Sequence, residues 1–378
     1  MAAGRGPEYA RAVITRLEIE NFKAIHTLSF ALGPMTVLVG PNDAGKTTIL
    51  QALDLVGKMA RTDIDRAFDG HGKDYFADGD LARPIRIVVE GTTGSPHESG
   101  TYRHSLSVGY ANARLQVLQE ELAWNGELVY AQSPGADKAF QYWTGEFTLL
   151  RSMYTSSGGL YAAVLADLSA QYVAFNPQAL AQPCAPNAAF GPDGSGLAAL
   201  LQTMLNAPDR RPVEALDAGL RRLSKHVNNV AVDTLRTPGK VEALLALAPS
   251  RHGIAARETS MGLLLATGYL ALMHGTSSQR FLVEEPENGV HPRALQLIVD
   301  VLRELARSGR QVVMTTHSPV LLNYIEPEDI RIVTRTAEQG VIVTAALDSA
   351  SFKENTQRLD PGELWYAVGD EGIVASAS

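Results

Sequence analysis

The sequence predicts an α/β fold, a mostly parallel sheet flanked by helices, with an antiparallel β subdomain and an inserted, mostly helical lobe. Three observations predict it. Short unbroken apolar runs (MTVLV from Met35, FLV from Phe281, QVVM from Gln311) alternate with helical patterns, as buried parallel strands do. Between Pro84 and Tyr130 the runs IRIVVE, YRHSLSV, ARLQVLQEEL and ELVYA are strand-like, and Asn125-Gly126 is a hairpin signal between the last two. From about Ser133 to Thr237 the chain is richer in Ala, Gly and Pro, with helical stretches such as GSGLAALLQTML.

In chain order, ITRLEIE, HTLSFAL and MTVLV read as strands. Ile49, Leu50, Leu53 and Val56 then share one helical face, and the pattern breaks near Asp69 to Gly72. A helix from about Ser260 precedes the strand RFLVEE, and a helix over Pro292 to Arg307 precedes the strand QVVMTT. A short helix and the strands DIRIVTR and GVIVTAAL follow. We read residues 1–378 as one unit: 1–132 a lobe with the glycine-rich loop and β subdomain, 133–259 the helical insertion, and 260–378 the remaining core.

Composition bounds the function. The 378 residues are 45% hydrophobic and 20% charged, as in a globular chain. A net charge of −8 excludes a uniformly basic surface, so nucleic acid would need a local patch. Arg210, Arg211, Arg221, Arg222, Lys225 and His226 form one candidate, although a solvated helical face is the commoner reading of such a run. The single cysteine, Cys184, excludes an intrachain disulfide and a Cys-only zinc cluster, and suits a reducing compartment. The N-terminus carries no apolar run of a secretory leader, and the apolar stretch Gly262 to Met273 is too short to span a bilayer. A cytoplasmic protein without a membrane partner is expected.

Gly40-Pro41-Asn42-Asp43-Ala44-Gly45-Lys46-Thr47 fits G-x-x-x-x-G-K-[ST] at every fixed position, after an apolar strand and before an amphipathic helix. Glycines let the backbone curl so that N–H groups converge on phosphate oxygens, and the helix start adds positive potential. Lys46 can reach β and γ phosphates, and the Thr47 hydroxyl can bind Mg²⁺. Gly40, Asn42, Asp43, Ala44, Gly45, Lys46, Thr47 and Thr48 are the candidate phosphate-side contacts.

The apolar strand at Phe281 ends in Glu284-Glu285-Pro286-Glu287. A buried strand that delivers acids beside a phosphate loop can hold the metal with the first, Glu284, and deprotonate a water with the second, Glu285. A solvated acidic turn is the competing reading. The next strand ends at Thr316-His317-Ser318-Pro319, which makes His317 a candidate γ-phosphate contact on the sheet edge where ligands bind. His291 reads as a residue that shapes the turn before Pro292.

These motifs, in this order, resemble the ATP-binding-cassette (ABC) ATPases and, within them, the RecF/SMC-like branch. EIENFKAI before the loop looks like that branch's first strands. EEPENGVHP followed by THSP resembles the ATPase half of the OLD (overcoming lysogenisation defect) proteins and related stand-alone ATPases found beside anti-phage effectors, and PGELWYAVG is similar to an ending of those stand-alone members. The resemblance implies a slow ATPase using ATP and Mg²⁺. It also implies a homodimer in which Ser260 and Gly262 of Glu258-Thr259-Ser260-Met261-Gly262 contact the ATP of the opposite subunit, so that two chains sandwich two ATP molecules. Ser260 reads equally as an ordinary helix N-cap. Met261 stands where a small or polar residue is commoner, and Glu284 where Asp is usual. Gln132 and Gln171 are both candidates for the metal-sensing glutamine, and Lys23 reads either as a nucleotide contact or as a solvent-facing lysine. The interval from Lys46 to Ser260 is too short for SMC-type arms, and the stretch after His317 too short for a nuclease domain. An effector, nuclease or toxin, is therefore expected on a separate polypeptide, with anti-phage defence as the family context. The alternative is a RecF-like DNA repair or maintenance ATPase that clamps duplex DNA. A transporter motor and a simple P-loop kinase rank below both.

Overall fold

A computed structural model describes residues 13–94, 99–133, 144–157, 159–234, 238–247, 253–336, 339–349, 352 and 360–365. The end of the PGELWYAVG stretch, residues 366–369, lies outside them. The chain begins with strands β1 (Val13–Phe22), β2 (Ile25–Ala31) and β3 (Met35–Val39), then helices α1 (Lys46–Met59) and α2 (Ile64–Ala67). Four long strands follow, β4 (Ile85–Gly94), β5 (Ser99–Ala111), β6 (Arg114–Trp124) and β7 (Glu127–Gln132). Next come α3 (Leu149–Ser157), α4 (Leu160–Leu168), β8 (Gln171–Val173), α5 (Pro177–Leu180), α6 (Leu197–Asn206) and α7 (Arg211–Leu223). Three short strands, β9 (Val227–Asp233), β10 (Glu242–Leu247) and β11 (Gly253–Ala255), lead to α8 (Met261–Gly275) and β12 (Arg280–Glu284). The chain continues through α9 (Pro292–Arg307), β13 (Gln311–Thr316), α10 (Pro319–Leu322), β14 (Ile330–Thr336) and β15 (Gly340–Ala345).

Strands form three sheets. The central one has the order β15-β14-β3-β13-β12-β8, parallel from β14 to β8 with β15 antiparallel at its edge. Every residue of β3 and β13 is buried, which explains their unbroken apolar runs. Alternate residues serve two different cores. Val37, Val39, Phe281, Val283, Val312 and Met314 pack with α8 and α9, whereas Leu38, Leu282 and Val313 pack with α1 and the antiparallel sheet. That second sheet, β2-β1-β4-β5-β6-β7, is antiparallel throughout. Its last hairpin turns at Asn125-Gly126, with φ of 49° and 83°, the doubly positive geometry that such a two-residue turn requires.

The segment 133–259 is rich in helices, yet it also supplies β8 to the edge of the central sheet and the separate three-stranded sheet β11-β10-β9. Neither was marked by a strong sequence period, because β8 is three residues long and β10 is a nearly unbroken apolar run. Among the described residues no helix is long and apolar enough to cross a membrane.

The end of the central sheet remote from Gly40 is tied by a buried polar cluster. Gln311, fully buried, donates through Nε2 to the carbonyls of Ile14 (2.7 Å) and Gly33 (2.9 Å). Its Oε1 accepts from Ile14 N (3.0 Å) and from Arg280 Nε (2.7 Å). One amide side chain thus links β1, the turn before β3, β12 and β13, with every polar group used. Arg280 also donates to the backbone carbonyl of Asp167 at the end of α4. Burial pushes the Asp167 carboxyl up to about 7, against the opposing pull of Arg280.

A carboxyl whose folded-state pKa is raised stabilises the fold fully below its ordinary value of 3.8 and loses that contribution as pH rises to about 7. Thermal melts should therefore show an Asp167-dependent decline in stability across that window, and Asp167→Asn should flatten it. An identical pH slope in the variant would contradict the assignment.

Candidate functional site

The site is built on the C-terminal edge of the central sheet. Register aligns Val39 with Thr316, and Glu284 with Thr315, so the loop after β3, the acids after β12 and the histidine after β13 emerge side by side. The glycines of the loop have spatial reasons. A Cβ on Gly40 would lie 2.0 Å from the Val333 carbonyl oxygen of β14, and Gly45 sits at φ 101° against Val341. Asp43 also takes a left-handed conformation, φ 63°, which completes the curl before α1. Asn42 and Asp43 are exposed, Ala44 is buried, and Thr47 and Thr48 are half-buried on the first turn of α1. The Lys46 ammonium, on a side chain that is largely buried, donates to the carbonyls of Gly40 and Pro41 at 2.7 Å each. That holds it against the loop backbone, where P-loop lysines meet phosphate oxygens.

Glu284 shares the face of Leu282 and therefore points toward α1. Its Oε1 accepts from Thr47 Oγ1 at 2.6 Å, and its Oε2 accepts from Tyr172 OH at 2.6 Å. Thr47 and Glu284 are both hard oxygen donors and already adjoin, which is the sparse protein set Mg²⁺ takes when phosphates and waters supply the rest. The residues present fit that ion. Tyr172 lies on β8 opposite Leu282, on the same face as Glu284. Burial, followed by the bond to Glu284, pushes its phenol far above the ordinary range, so it stays a hydrogen-bond donor at neutral pH.

Glu285 turns the other way. Its backbone is left-handed, φ 42°, a strained conformation for a non-glycine residue and one that concentrates at functional sites. Its N–H donates to the Thr315 carbonyl (3.2 Å) and Oγ1 (3.3 Å), which holds the bend. Asn288 Nδ2 donates to Glu285 Oε2 at 2.8 Å, and His317 Nδ1 lies 3.2 Å from Glu285 Oε1. Lys46, Thr47, Glu284, Glu285 and His317 are therefore gathered on one edge.

Ser260 and Gly262 are elsewhere. Ser260 is the exposed N-cap of α8, without a side-chain capping bond, and Met261 is 52% exposed. The neighbours of Gly262 are Ala294 and His291 rather than the phosphate loop. The glutamine candidates separate as well. Gln132 ends β7, the far edge of the antiparallel sheet, whereas Gln171 lines a cavity of about 540 Å³ with Glu284, Tyr172, Lys23 and Gln51. Lys23 is not a solvent-facing lysine. It is half-buried, donates to Gln51 Oε1 at 2.9 Å and lies over the Tyr75 ring at 4.3 Å, and burial followed by the nearby Lys58 lowers its pKa. Tyr172, Asn288, Thr315 and Thr316 were missed by sequence reasoning. The two threonines adjoin His317 in QVVMTTH, but Tyr172 carried no signal, since only sheet pairing brings it to Glu284.

If Thr47 and Glu284 hold Mg²⁺, Tyr172 orients the acid from outside that ligand set, and Tyr172→Phe should raise the Mg²⁺ concentration needed for tight ATP binding about 10-fold. ATP binding in the presence of a chelator should stay the same. A fluorescent-ATP titration against Mg²⁺ measures both, and an unchanged Mg²⁺ requirement would leave Tyr172 with a role in sheet packing alone.

Comparison with known proteins bears on the fold and on the class of domain. Residues 13–96 match a family model described as "AAA ATPase domain". Residues 212–323 match an "AAA domain" model whose description also names the AbiEii toxin and a "Type IV TA system". A 44-residue stretch is 52% identical to the OLD nuclease of Thermus scotoductus, covering 12% of this chain and 8% of that protein. Among solved structures, the Smc head bound to the C-winged helix domain of ScpA superposes with a TM-score of 0.56 at 12% identity, over 88% of this chain and 97% of that one. The Smc head with an extended coiled coil, bound to the C-terminal domain of ScpA derived from Pyrococcus furiosus, gives 0.50 at 11% identity, over 91% and 99%. At these identities the two structures speak for the fold alone, and the curated relative is matched over only a small part of its length. Fold, phosphate loop and family models together support a P-loop ATPase with the fold of the Smc heads, and one short stretch is similar to the OLD nuclease.

Proposed function

We propose that the chain is an ATP-hydrolysing dimeric switch that controls a separate effector protein. The observation that carries the reading is the convergence of Lys46, Thr47, Glu284, Glu285 and His317 on one sheet edge, with a strained backbone at Glu285. In this reading Lys46 and the loop N–H groups bind the phosphates, and Thr47 and Glu284 hold Mg²⁺, which offsets phosphate charge when bound. Glu285 takes a proton from the attacking water as its oxygen bonds to the γ-phosphorus. The bond to the β–γ bridging oxygen breaks, and ADP and phosphate leave. His317 contacts the γ-phosphate.

The placement of Ser260, which is exposed, and of Gly262, half-buried against Ala294 and His291 rather than the phosphate loop, supports a second copy that uses them. ATP would then close the dimer and hydrolysis reopen it. The name of the relative, a nuclease, and the family-model description that mentions the AbiEii toxin and a type IV TA system suggest the class of effector, and anti-phage defence is the role we assign on that basis. The DNA-clamp alternative finds less support. Arg211 is paired with Asp209 at 2.8 Å, and Arg210 and Arg221 donate to the Leu205 and Asn228 carbonyls, which leaves Arg222, Lys225 and His226 as the remainder of the exposed basic stretch.

Steady-state hydrolysis of MgATP by the pure protein, with Glu285→Gln expected to lose about 10²–10⁴-fold in kcat, tests the reaction. Light scattering of Glu285→Gln with ATP should show a dimer that Ser260→Arg abolishes. Failure to hydrolyse ATP would sink the enzymatic reading, and strong stimulation by duplex DNA would favour the clamp over the effector switch.

A further inference from the structure

One buried acid has no part in the scheme above. Glu287 is three residues beyond the metal-side acid and its side chain is only 8% exposed. The turn that carries it is tight: Asn288 N donates to the Glu285 carbonyl (3.1 Å), Val290 N donates to the Glu287 carbonyl (3.0 Å), and Gly289 is at φ 75°. Glu284 faces α1, and this turn carries Glu287 back to the end of β13. There Oε1 accepts from Thr316 Oγ1 at 2.6 Å and from the His317 backbone N–H at 3.0 Å. Thr316 Oγ1 in turn accepts from Ser318 N at 3.0 Å, and the Ser318 hydroxyl caps α10 through Leu321 N. A single carboxylate oxygen therefore anchors the whole segment 316–318.

The same oxygen lies 3.6 Å from His317 Nδ1, and Glu285 Oε1 lies 3.2 Å from that nitrogen. Two carboxylate oxygens near one ring nitrogen favour a proton on that nitrogen, the nearer being Glu285 Oε1. Nε2 is then the nitrogen that a ligand meets. The second oxygen of Glu287 is buried and, among the described residues, has no hydrogen-bond partner. Such burial of a carboxylate is costly, and an amide or hydroxyl would close the turn at lower cost. The charge is explained if it acts on His317.

We propose that Glu287 is the positioning residue for His317: it fixes the histidine backbone and, with Glu285, holds the ring by Nδ1–H, so that the ring meets the γ-phosphate as the imidazolium and donates to it from Nε2–H. The proposal rests on the reading of His317 as the γ-phosphate contact. Its structural half is testable without ATP.

In protein labelled with ¹⁵N-histidine, His317 should give an exchange-protected, downfield Nδ1–H resonance, assigned by its loss in His317→Gln. Glu287→Ala should lose that resonance to solvent exchange. Glu287→Gln keeps an acceptor for Thr316 and the His317 N–H, so it should retain the resonance but move it upfield, because the acceptor is no longer charged. In parallel, Glu287→Ala should lower kcat about 10²-fold with KM for ATP nearly unchanged, and Glu287→Gln should recover most of it. A folded Glu287→Ala that keeps the wild-type resonance overturns the proposal. If that variant does not fold, Glu287→Gln decides, and a resonance at the wild-type position overturns it. Should the wild type fail to hydrolyse ATP, the kinetic arm falls with the proposed function, while the resonance still reports on Glu287.

Discussion

The structure depends on the pairing of β3 with strands from the far end of the chain on both sides. β13 lies on one flank and β14 on the other, and both pairs are parallel. A parallel sheet gathers the C-terminal ends of its strands on one edge, so pairing alone brings residues near 40, 284 and 317 together. Gly40 marks how close that pairing is, because the Val333 carbonyl occupies the space of any side chain there. The curl of the phosphate loop follows from this crowding as well as from glycine's freedom. The chain has no route to the loop conformation that leaves β14 in place and puts a Cβ at position 40.

At the opposite end of the same strands, Gln311 and Arg280 do the complementary task. Their side chains satisfy backbone groups of β1, the turn before β3 and α4 inside a dry core. Buried networks of this kind reward one arrangement and penalise all near alternatives, since each misplaced partner leaves a polar group unpaired. The antiparallel sheet is thereby fixed relative to the central one, and α1 is held between them with its apolar face toward both. The edge that carries the acids is therefore rigid at its base. Backbone strain and alternating acid directions are concentrated in the short turn from Glu285 to Val290. Three acids within four residues point to three places: Glu284 to α1, Glu285 to His317 and Asn288, and Glu287 to the end of β13. That divergence distinguishes the segment from a solvated acidic turn.

Much of this was legible in the sequence, because the signals were local. Unbroken apolar runs marked β3, β12 and β13, the spacing of Ile49, Leu50, Leu53 and Val56 marked α1, and Pro292 to Arg307 coincided with α9. Asn125-Gly126 marked the hairpin, since its conformational demand falls on those two residues alone. β8 and the sheet of β9 to β11 were not legible, because a three-residue strand has no period and its place is chosen by its partner. The sequence by itself determined which chemical groups exist and which strand each one ends: a lysine and a threonine after β3, acids after β12, a histidine after β13. Only the tertiary structure decided what each group touches. Tyr172 reaches Glu284, Lys23 reaches Gln51 and Tyr75, and Glu287 reaches Thr316 and His317. The physical reason is that side-chain partners across a sheet are set by register and by which face each residue shares, and those are properties of the paired strands rather than of either strand alone.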